Sequence, residues 1–344
     1  MTPMIGAIDR VVVVGLGLIG GSLSKALMPL VEVVGVETDP ASCAAAALDG
    51  IDIASLNSAI TDRSLVVVAV PVADIDATFA AIAATAKRPL ITDVGSVKAS
   101  VVAAARAAGL RFVGGHPMAG SERSGYNASI DSLFSGARWA LTLETDTDLN
   151  DWLAVAQVAI AVGAGVVPIT AAGHDDAVAA VSHLPHVVAA ALAGAIGADP
   201  ALAELRLGLA AGSFRDGTRV ARASSSFWTA VLALNATAVE AMVDAVARQL
   251  TDVASALRNG DLDSVEAFFA RGADVRISFD ERTSTGITLS HSSTNDAASD
   301  RASDSDMRTL LLQLGTQGGF VTSIEFSDGL AQVHARVPNL SAEK

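Results

Sequence analysis

The amino-acid sequence predicts an α/β protein with an N-terminal Rossmann-type doubly wound parallel sheet, an all-helical C-terminal domain and a short β-rich tail. Three observations lead to this prediction. Short apolar runs alternate with helix-like segments through the first half of the chain, which is typical of a parallel sheet buried on both faces. The first apolar run ends in a glycine-rich turn. From His174 onward, strand signals disappear and apolar residues recur at helical spacing.

The glycine-rich turn follows a run of four valines and precedes a helix-like segment, 22–27. Gly15, Gly17 and Gly20 match the spacing G-x-G-x-x-G, the fingerprint of dinucleotide binding. The first glycine permits a sharp turn, the second lets the main chain approach a pyrophosphate, and the third lets the helix pack on the strand. The N–H groups at the start of the helix would then bind the phosphates. The predicted cofactor contacts here are Gly15, Gly17, Leu18, Ile19 and Gly20.

The second strand is followed by Glu37, which lies 22 residues after Gly15. A dinucleotide-binding fold places an acid at this point, where it accepts hydrogen bonds from the adenosine ribose. Asp39 competes with Glu37 for this role, although an aspartate directly before Pro40 is also a good helix N-cap. Glu37 is the favoured candidate.

The cofactor is predicted to be NAD, not NADP. No lysine or arginine occurs over positions 26–62, so the segment around Glu37 offers no basic group for a 2′-phosphate. A later strand ends at Val70 and Pro71, and the C-terminal ends of parallel strands open over the cofactor. The predicted strands of the sheet region are 11–14, 31–36, 65–70, 90–94, 112–113, 139–143 and 166–169, and a helix is predicted over 74–86.

Polar side chains follow two of these strands. The first ends in the run Asp93-Val94-Gly95-Ser96-Val97-Lys98, and the second runs into a glycine-rich segment, 114–122, which contains His116. A neutral imidazole at the mouth of a parallel sheet can accept a proton from a substrate hydroxyl. The alternative is a histidine that only stabilises a turn. Ser96 has a structural alternative too, as a helix N-cap.

The second half of the chain predicts three helices, 175–196, 225–258 and 261–279. Apolar residues of the second helix recur at intervals of three and four and form one face, which either packs in the core or forms a dimer contact. They are Met242, Val243, Val246, Leu250, Val253 and Leu257. The predicted domains are a cofactor domain, 1–170, a helical substrate and dimerisation domain, 171–282, a polar linker, 283–306, and a small β element, 307–344.

The linker prediction depends on a run of Ser, Thr and Asp that has little to bury. After it, 307–314, 320–326 and 331–337 alternate as strands would. We expect these strands to form a small β element docked on the core or on a partner subunit.

Charge and cysteine content exclude several classes of protein. The formal net charge of −14 argues against binding to nucleic acid or an anionic membrane surface. Cys43 is the only cysteine, so the chain has no disulfide or zinc cluster, no metal site is expected, and a reducing cytoplasm is the expected location. The most membrane-like segment, 152–172, contains Gln157, Pro168 and two glycines, and a helix followed by a short strand explains it better.

Five motifs in order resemble the prephenate dehydrogenase family of tyrosine biosynthesis, which also includes arogenate dehydrogenases. They are the glycine turn, DVGSVK at 93–98, GGHPMAGSE at 114–122, SHLPH at 182–186 and DGTR at 216–219. The resemblance covers roughly residues 10 to 282. It implies an NAD-dependent homodimer, joined through the helical domain, that oxidatively decarboxylates a small anionic substrate, prephenate or arogenate.

The resemblance also implies roles for single residues. His116 matches the catalytic histidine, which accepts the hydrogen bond or proton of the substrate hydroxyl. Ser96 matches a serine that orients the histidine, the hydroxyl and the nicotinamide. Arg219 matches the arginine that binds a substrate carboxylate, and a planar guanidinium suits that task. A surface ion pair of Arg219 with Asp216 or Glu122 is the alternative.

Further substrate contacts follow from the same resemblance. His186 is expected to bind the substrate side chain, and His183 is either a second contact or a packed helix histidine. Trp228 either lines the ring pocket or belongs to the core. The substrate-binding candidates are Arg219, His186, His183, Asp216, Ser121, Glu122 and Trp228. Family members often carry a proline before this tryptophan, whereas this sequence has serines at 224–226.

Two other functions are compatible with a Rossmann domain followed by helices. A β-hydroxyacid dehydrogenase would need a lysine base in the helical domain, but no lysine occurs from His174 to Phe279. A non-enzymatic NAD-binding regulator would have no use for the combination of His116, Ser96 and Arg219. Lys98 lies close to Ser96 in sequence and is expected to stabilise the loop.

Overall fold

A computed structural model describes residues 8–121, 123–292, 303–327 and 330–339. The chain forms two compact units, one containing Met1–His174 with Ser284–Lys344 and the other containing Asp175–Thr283. The C-terminal segment therefore belongs to the same unit as the N-terminal half.

The first sheet of the first unit is parallel throughout and has the strand order β3-β2-β1-β4-β5-β6. This is the Rossmann order, so the predicted fold class is confirmed. The valines of β1 are almost completely buried because the sheet is covered on both faces. The strands are β1 Arg10–Val14, β2 Glu32–Val36, β3 Asp52–Ile53, β4 Ser64–Val68, β5 Leu90–Asp93 and β6 Phe112–Val113. The helices between them are α1 Leu18–Leu27, α2 Pro40–Leu48, α3 Leu56–Ala59, α4 Ile75–Ala83 and α5 Ala99–Ala107.

A second sheet begins directly after β6, and it joins three strands of this part of the chain to β10 Ser284–Ser292, β11 Phe320–Ser327 and β12 Leu330–Pro338 in the order β10-β12-β11-β9-β8-β7. The segments 139–143 and 166–169, predicted to close the parallel sheet, belong to this second sheet instead. The chain crosses between the sheets at Gly114 and Gly115, and a Cβ atom on Gly115 would lie 2.5 Å from the Asp93 carbonyl oxygen. The elements are β7 Gly115–Pro117, β8 Arg138–Thr142, α6 Leu149–Ala161 and β9 Gly165–Ile169, followed by the C-terminal elements.

The C-terminal elements are β10 Ser284–Ser292, α14 Asp304–Thr316, β11 Phe320–Ser327 and β12 Leu330–Pro338. The predicted strands 320–326 and 331–337 are confirmed, and β11 pairs with β9, so the β element docks on the core. Two predictions are wrong. Residues 284–292, placed in the linker, form β10, and 307–314, expected as a strand, lie in α14. The apolar residues of 307–314 have helical spacing, and Met307, Leu311 and Leu314 are all buried.

The second unit is helical, as predicted. The stretch that enters it is α7 Ala171–Val178, a π-helical turn Ala179–His183 and α8 Leu184–Gly197. Its other helices are α9 Pro200–Gly208, α10 Gly212–Thr218, α11 Ser225–Leu234, α12 Ala236–Asn259 and α13 Leu262–Asp280. The helix predicted over 225–258 is two helices bent by 101°. Asn235 lies at the bend, where its side-chain amide donates to the carbonyl oxygen of Asp175 at 2.7 Å.

The segment 152–172 is part of α6 followed by β9, in agreement with the expected helix and strand. By length and composition alone, the continuous helical stretch Ala171–Gly197 could cross a membrane, and 17% of its most apolar window is buried. Core helices of globular proteins also meet this criterion.

Candidate functional site

The glycine turn has the geometry that a dinucleotide requires. Gly15 has a φ of +94°, and a Cβ atom there would lie 2.7 Å from the carbonyl oxygen of Ala69. A Cβ atom on Gly20 would lie 2.0 Å from the carbonyl oxygen of Gly15, so the third glycine is required by packing. A Cβ atom on Gly17 would meet nothing within 4 Å. The second glycine therefore leaves an open approach to the main chain.

The start of α1 is suited to an anion. Gly17 is the N-cap residue, and no side chain caps the helix. The first turn of α1, which lies wholly within the described residues, contains no acidic residue. Main-chain N–H groups at such a terminus, here including those of Leu18 and Ile19, are left for a ligand and carry the positive end of the helix dipole. The residues present therefore fit a pyrophosphate.

Glu37 is fixed beside this turn by three main-chain hydrogen bonds. Its carboxylate accepts from the N–H of Leu16 at 2.7 Å, of Thr38 at 2.6 Å and of Asp39 at 2.9 Å. Partial burial raises the pKa of Glu37, but the three hydrogen bonds outweigh that effect and leave the pKa below its ordinary value. Glu37 is therefore a carboxylate at neutral pH.

Asp39 has a different task. Its side chain accepts from the N–H of Ser42 at 2.8 Å, and Pro40 occupies the first position of α2. This is the N-cap arrangement that the sequence offered as the alternative for Asp39. Glu37 is thus the acid held against the glycine turn. Val70 and Pro71 follow β4, and the N atom of Val70 lies 3.1 Å from the position that a Gly15 Cβ would take.

A fully buried ion pair joins the two sheets just before His116. Lys98 donates to Asp93 and also to the carbonyl oxygen of Gly115 at 2.8 Å. Asp93 accepts from the N–H of Gly115 at 3.0 Å and from that of Gly95 at 2.8 Å. Both main-chain groups of Gly115 are thereby bound, and the expected loop-stabilising role of Lys98 becomes a role in anchoring β7.

His116 lies in the middle of β7 and is half-buried. Its Nδ1 atom is 2.8 Å from Nε2 of His174, and the two ring centroids are 5.0 Å apart. His174 lies in α7 and is 1% exposed. In the sequence, His174 marks only the point after which strand signals disappear. The signal available in the sequence was a histidine directly before the predicted helix 175–196.

Ser96 lies in the turn between β5 and α5 and is half-buried. The N-cap position of α5 is Lys98, two residues later, so Ser96 does not cap this helix. Ser121 is exposed, and its hydroxyl accepts from the N–H of Arg123 at 3.1 Å. Glu122, predicted as a substrate contact, lies outside the described residues.

Three aromatic side chains cluster in the second unit. His186 stacks on Trp228 with ring centroids 3.8 Å apart, and buried His183 contacts the same ring edge-on at 5.8 Å. Nδ1 of His183 lies 3.2 Å from the side-chain amide of Asn235. Nδ1 of His186 is 2.9 Å from the carbonyl oxygen of Ser182, which can only accept, so the imidazole donates there through Nδ1.

Arg219 and Asp216 are exposed residues of the second unit. Asp216 lies in α10, and Arg219 opens the short 3₁₀ turn Arg219–Arg222 that follows it. The convergence of Arg219 with His116 stays a prediction. Among the residues that the structure describes, no three His, Cys, Asp or Glu side chains are grouped to hold a metal ion.

The Rossmann sheet, the open glycine turn, the anchored Glu37 and the histidine on a neighbouring strand define a dinucleotide-dependent dehydrogenase as the class of this protein. Comparison with known proteins identifies the family. Residues 20–168 match the family model for the prephenate dehydrogenase nucleotide-binding domain, and residues 170–271 match the prephenate dehydrogenase dimerization domain. Residues beyond 271, including the C-terminal β element, lie outside both matches.

The chain is 32% identical to prephenate dehydrogenase of Bacillus subtilis over 279 residues, which is 78% of this chain and 75% of the relative. It resembles two solved structures, prephenate dehydrogenase of A. aeolicus in complex with hydroxyphenyl propionate and NAD+, and Synechocystis arogenate dehydrogenase. The first is 28% identical with a TM-score of 0.70 and covers 79% of this chain and 98% of that one. The second is 26% identical with a TM-score of 0.71 and covers 78% and 99%. The chain belongs to the prephenate dehydrogenase family.

Proposed function

We propose that this protein oxidatively decarboxylates prephenate to 4-hydroxyphenylpyruvate, or arogenate to tyrosine, with NAD as the hydride acceptor. The observation that carries the proposal is the placement of His116. The main chain of the preceding residue, Gly115, is held by the Asp93–Lys98 pair, and Nδ1 of His116 lies 2.8 Å from Nε2 of His174. His116 therefore lies at a fixed place in the unit that contains the dinucleotide turn, where its Nε2 would meet a substrate.

His116 acts on the ring hydroxyl of the substrate. When a hydride leaves C4, positive charge develops at the carbon that carries the hydroxyl, and a hydrogen-bond acceptor there stabilises the transition state more than the ground state. His116 accepts the hydrogen bond or proton of the hydroxyl and returns it to the phenol oxygen. The bond between ring and carboxylate breaks, its electron pair completes the aromatic ring, and carbon dioxide leaves.

NAD supplies the oxidising power by accepting the hydride from C4 when it is bound. The glycine turn would hold the pyrophosphate, and Glu37 would accept hydrogen bonds from the adenosine ribose. Val70 and Pro71 would contact the cofactor at the end of β4. Ser96 would orient the nicotinamide together with His116.

The substrate carries two carboxylates and needs cationic or donor groups to bind it against a net charge of −14. Arg219 would bind a carboxylate through its planar donors, with Asp216 orienting the guanidinium. His186, stacked on Trp228, would bind the substrate side chain. His183, Ser121 and Glu122 complete the set of proposed contacts.

The active form is proposed to be a cytoplasmic homodimer joined through the helical unit. The face of α12 predicted as core or dimer contact is not buried in the single chain, where Leu250 and Leu257 are more than half exposed. Phe269 and Phe279 of α13 are 68% and 69% exposed. Large apolar areas of this kind mark interfaces, and the matched domain family is described as a dimerization domain.

The proposal is tested by incubating the pure protein with prephenate or arogenate and with NAD or NADP, while the absorbance of the reduced nicotinamide is followed. We expect NAD reduction with at least one substrate, together with its aromatic product. If the protein binds NAD but reduces neither cofactor with either substrate, the proposed reaction is disproved. The preferred substrate follows from the ratio of the two kcat/KM values.

A further inference from the structure

The contact between His116 and His174 constrains which nitrogen of His116 carries a proton. A neutral imidazole has one N–H donor and one acceptor nitrogen. Because Nδ1 of His116 and Nε2 of His174 are 2.8 Å apart, one of the two donates and the other accepts. The direction of this hydrogen bond therefore sets the state of Nε2 on His116.

The two directions have opposite consequences for the proposed reaction. If His116 donates through Nδ1, its Nε2 is a lone pair that can accept from the substrate hydroxyl. If His174 donates instead, neutral His116 carries its proton on Nε2 and would donate to the hydroxyl. Only the first arrangement serves as an acceptor, and the proposed function requires it.

We propose that His174 is a positioning residue that accepts the Nδ1–H of His116 and so holds its Nε2 as the acceptor for the substrate hydroxyl. This inference rests on the proposed function. His174 takes the place that a carboxylate or carbonyl commonly has behind a functional histidine. It supplies an acceptor without adding a negative charge beside an anionic substrate.

The position of His174 is fixed by the start of α7. The carboxylate of Glu144 accepts from the N–H of Ala171 at 2.6 Å, and Thr170 accepts from the N–H of Gly173 at 3.1 Å through its hydroxyl. Arg308 of α14 donates to the carbonyl oxygens of Glu144 and, at 2.7 Å, of Thr147. The first turn of α7 is therefore anchored to the same unit that holds His116.

The side chain of His174 is 1% exposed, and burial disfavours the charged form of a titratable group. A neutral ring retains one acceptor nitrogen, which the proposal places at Nε2.

The test is the tautomer of His116, read by NMR from ¹⁵N-labelled histidine in the intact protein. The chain has six histidines, so single variants can assign the signals, and His334→Leu, at a half-buried position of β12, serves as the matched control. We expect His116 to be protonated on Nδ1 in the wild-type protein and in the control. In His174→Leu the protonated nitrogen should shift toward Nε2. An unchanged His116 tautomer in His174→Leu would overturn the proposal.

A second readout uses rescue by a conservative variant. The amide oxygen of glutamine reaches about as far as Nε2 of histidine, so His174→Gln keeps an acceptor that His174→Leu lacks. We expect kcat to fall by at least about 10-fold in His174→Leu with KM within about twofold, since a histidine in the wrong tautomer loses its function. His174→Gln should recover most of kcat, and equal losses in both variants would overturn the proposal. Failure of the proposed reaction would show separately, as a wild-type protein without activity but with an ordered His116 tautomer.

Discussion

Lys98 donates a hydrogen bond to the carbonyl oxygen of Gly115 at 2.8 Å, one residue before His116. Together with Asp93, which accepts from the N–H of Gly115, it replaces the hydrogen bonds that a neighbouring strand would make to this residue of β7. β8 pairs with the other edge. A buried ion pair thus fills the gap where the chain leaves one sheet and enters the next.

Loss of Lys98 should destabilise the fold and weaken catalysis. Lys98→Met leaves Asp93 as an unpaired buried charge, and breaking such a pair costs about 3–5 kcal/mol of the free energy of unfolding. Urea unfolding followed by circular dichroism measures the loss. The double variant with Asp93→Asn should recover part of it because no charge is then left unpaired. Arg63→Met, which removes an exposed partner of Asp9, should change stability little. A Lys98→Met protein as stable as the wild type would contradict this role.

Replacement of His116 should affect turnover far more than substrate affinity. His116→Asn removes the acceptor for the substrate hydroxyl, and general acid–base groups contribute roughly 100- to 10,000-fold to rate. We expect kcat to fall within that range while KM stays close to that of the wild type. Steady-state kinetics with the preferred substrate provide the check, and an unchanged kcat would exclude His116 as the catalytic residue.

Arg219 and Arg222 offer a matched pair on one short 3₁₀ turn, where both are exposed. If Arg219 binds a substrate carboxylate, Arg219→Ala should raise KM at least about 10-fold, because hydrogen bonds to charged groups contribute roughly 1.5–3 kcal/mol. Arg222→Ala should leave KM near the wild-type value. Equal, small effects of the two substitutions would indicate that Arg219 forms only a surface ion pair.

Glu37 should control the choice between NAD and NADP. Glu37→Ser removes the carboxylate that would repel a 2′-phosphate, so the ratio of kcat/KM for NAD over NADP should fall. Asp39→Ala should leave this ratio nearly unchanged, because Asp39 caps α2. If NADP is already the better cofactor of the wild-type protein, the assignment of Glu37 is wrong.

The lowered pKa of Glu37 predicts how stability and cofactor preference respond to pH. Its pKa lies below the ordinary value, so the hydrogen bonds to its carboxylate stabilise the fold fully above the unfolded pKa. That contribution is lost as the pH falls through the lowered pKa of the folded state. The cofactor preference should therefore be constant across the neutral range.

The proposed homodimer should dissociate when a charge is placed on the exposed apolar surface of the helical unit. Leu257→Glu and Phe269→Glu alter side chains that are 59% and 68% exposed, so the fold of the single chain should tolerate them. We expect light scattering after size-exclusion chromatography to report a dimer for the wild type and monomers for these variants. Leu48→Glu, at a 90% exposed leucine in the first unit, should remain dimeric. Dimers in all three variants would place the interface elsewhere.

The cofactor half of the site was predictable because its signals are local. Gly15, Gly17 and Gly20 are required by a turn and by the close approach of a strand and a helix, and both requirements act within a few residues of chain. Glu37 could be favoured over Asp39 for the same reason, since Pro40 marks Asp39 as a cap. Local conformation and spacing carry this information.

The C-terminal segment shows where local signals mislead. Residues 284–292 lack a strong apolar pattern, yet they form β10 because β12 offers a complementary edge. The strand predicted over 307–314 is wrong because a short apolar run fits both periods. Met307, Leu311 and Leu314 also recur at helical spacing, and the helix packs Gly315 closely on Pro168.

The sequence alone determined the Rossmann fold, the family, the cofactor turn and the identity of His116 as the candidate catalytic residue. The tertiary structure decided what surrounds that histidine. His174 lies 58 residues from His116 in the chain, and Asp93 lies 22 residues from Gly115, so neither contact has a signature in spacing or periodicity. Hydrogen bonds between residues far apart in sequence exist only once the sheets have packed, because packing brings their partners within reach.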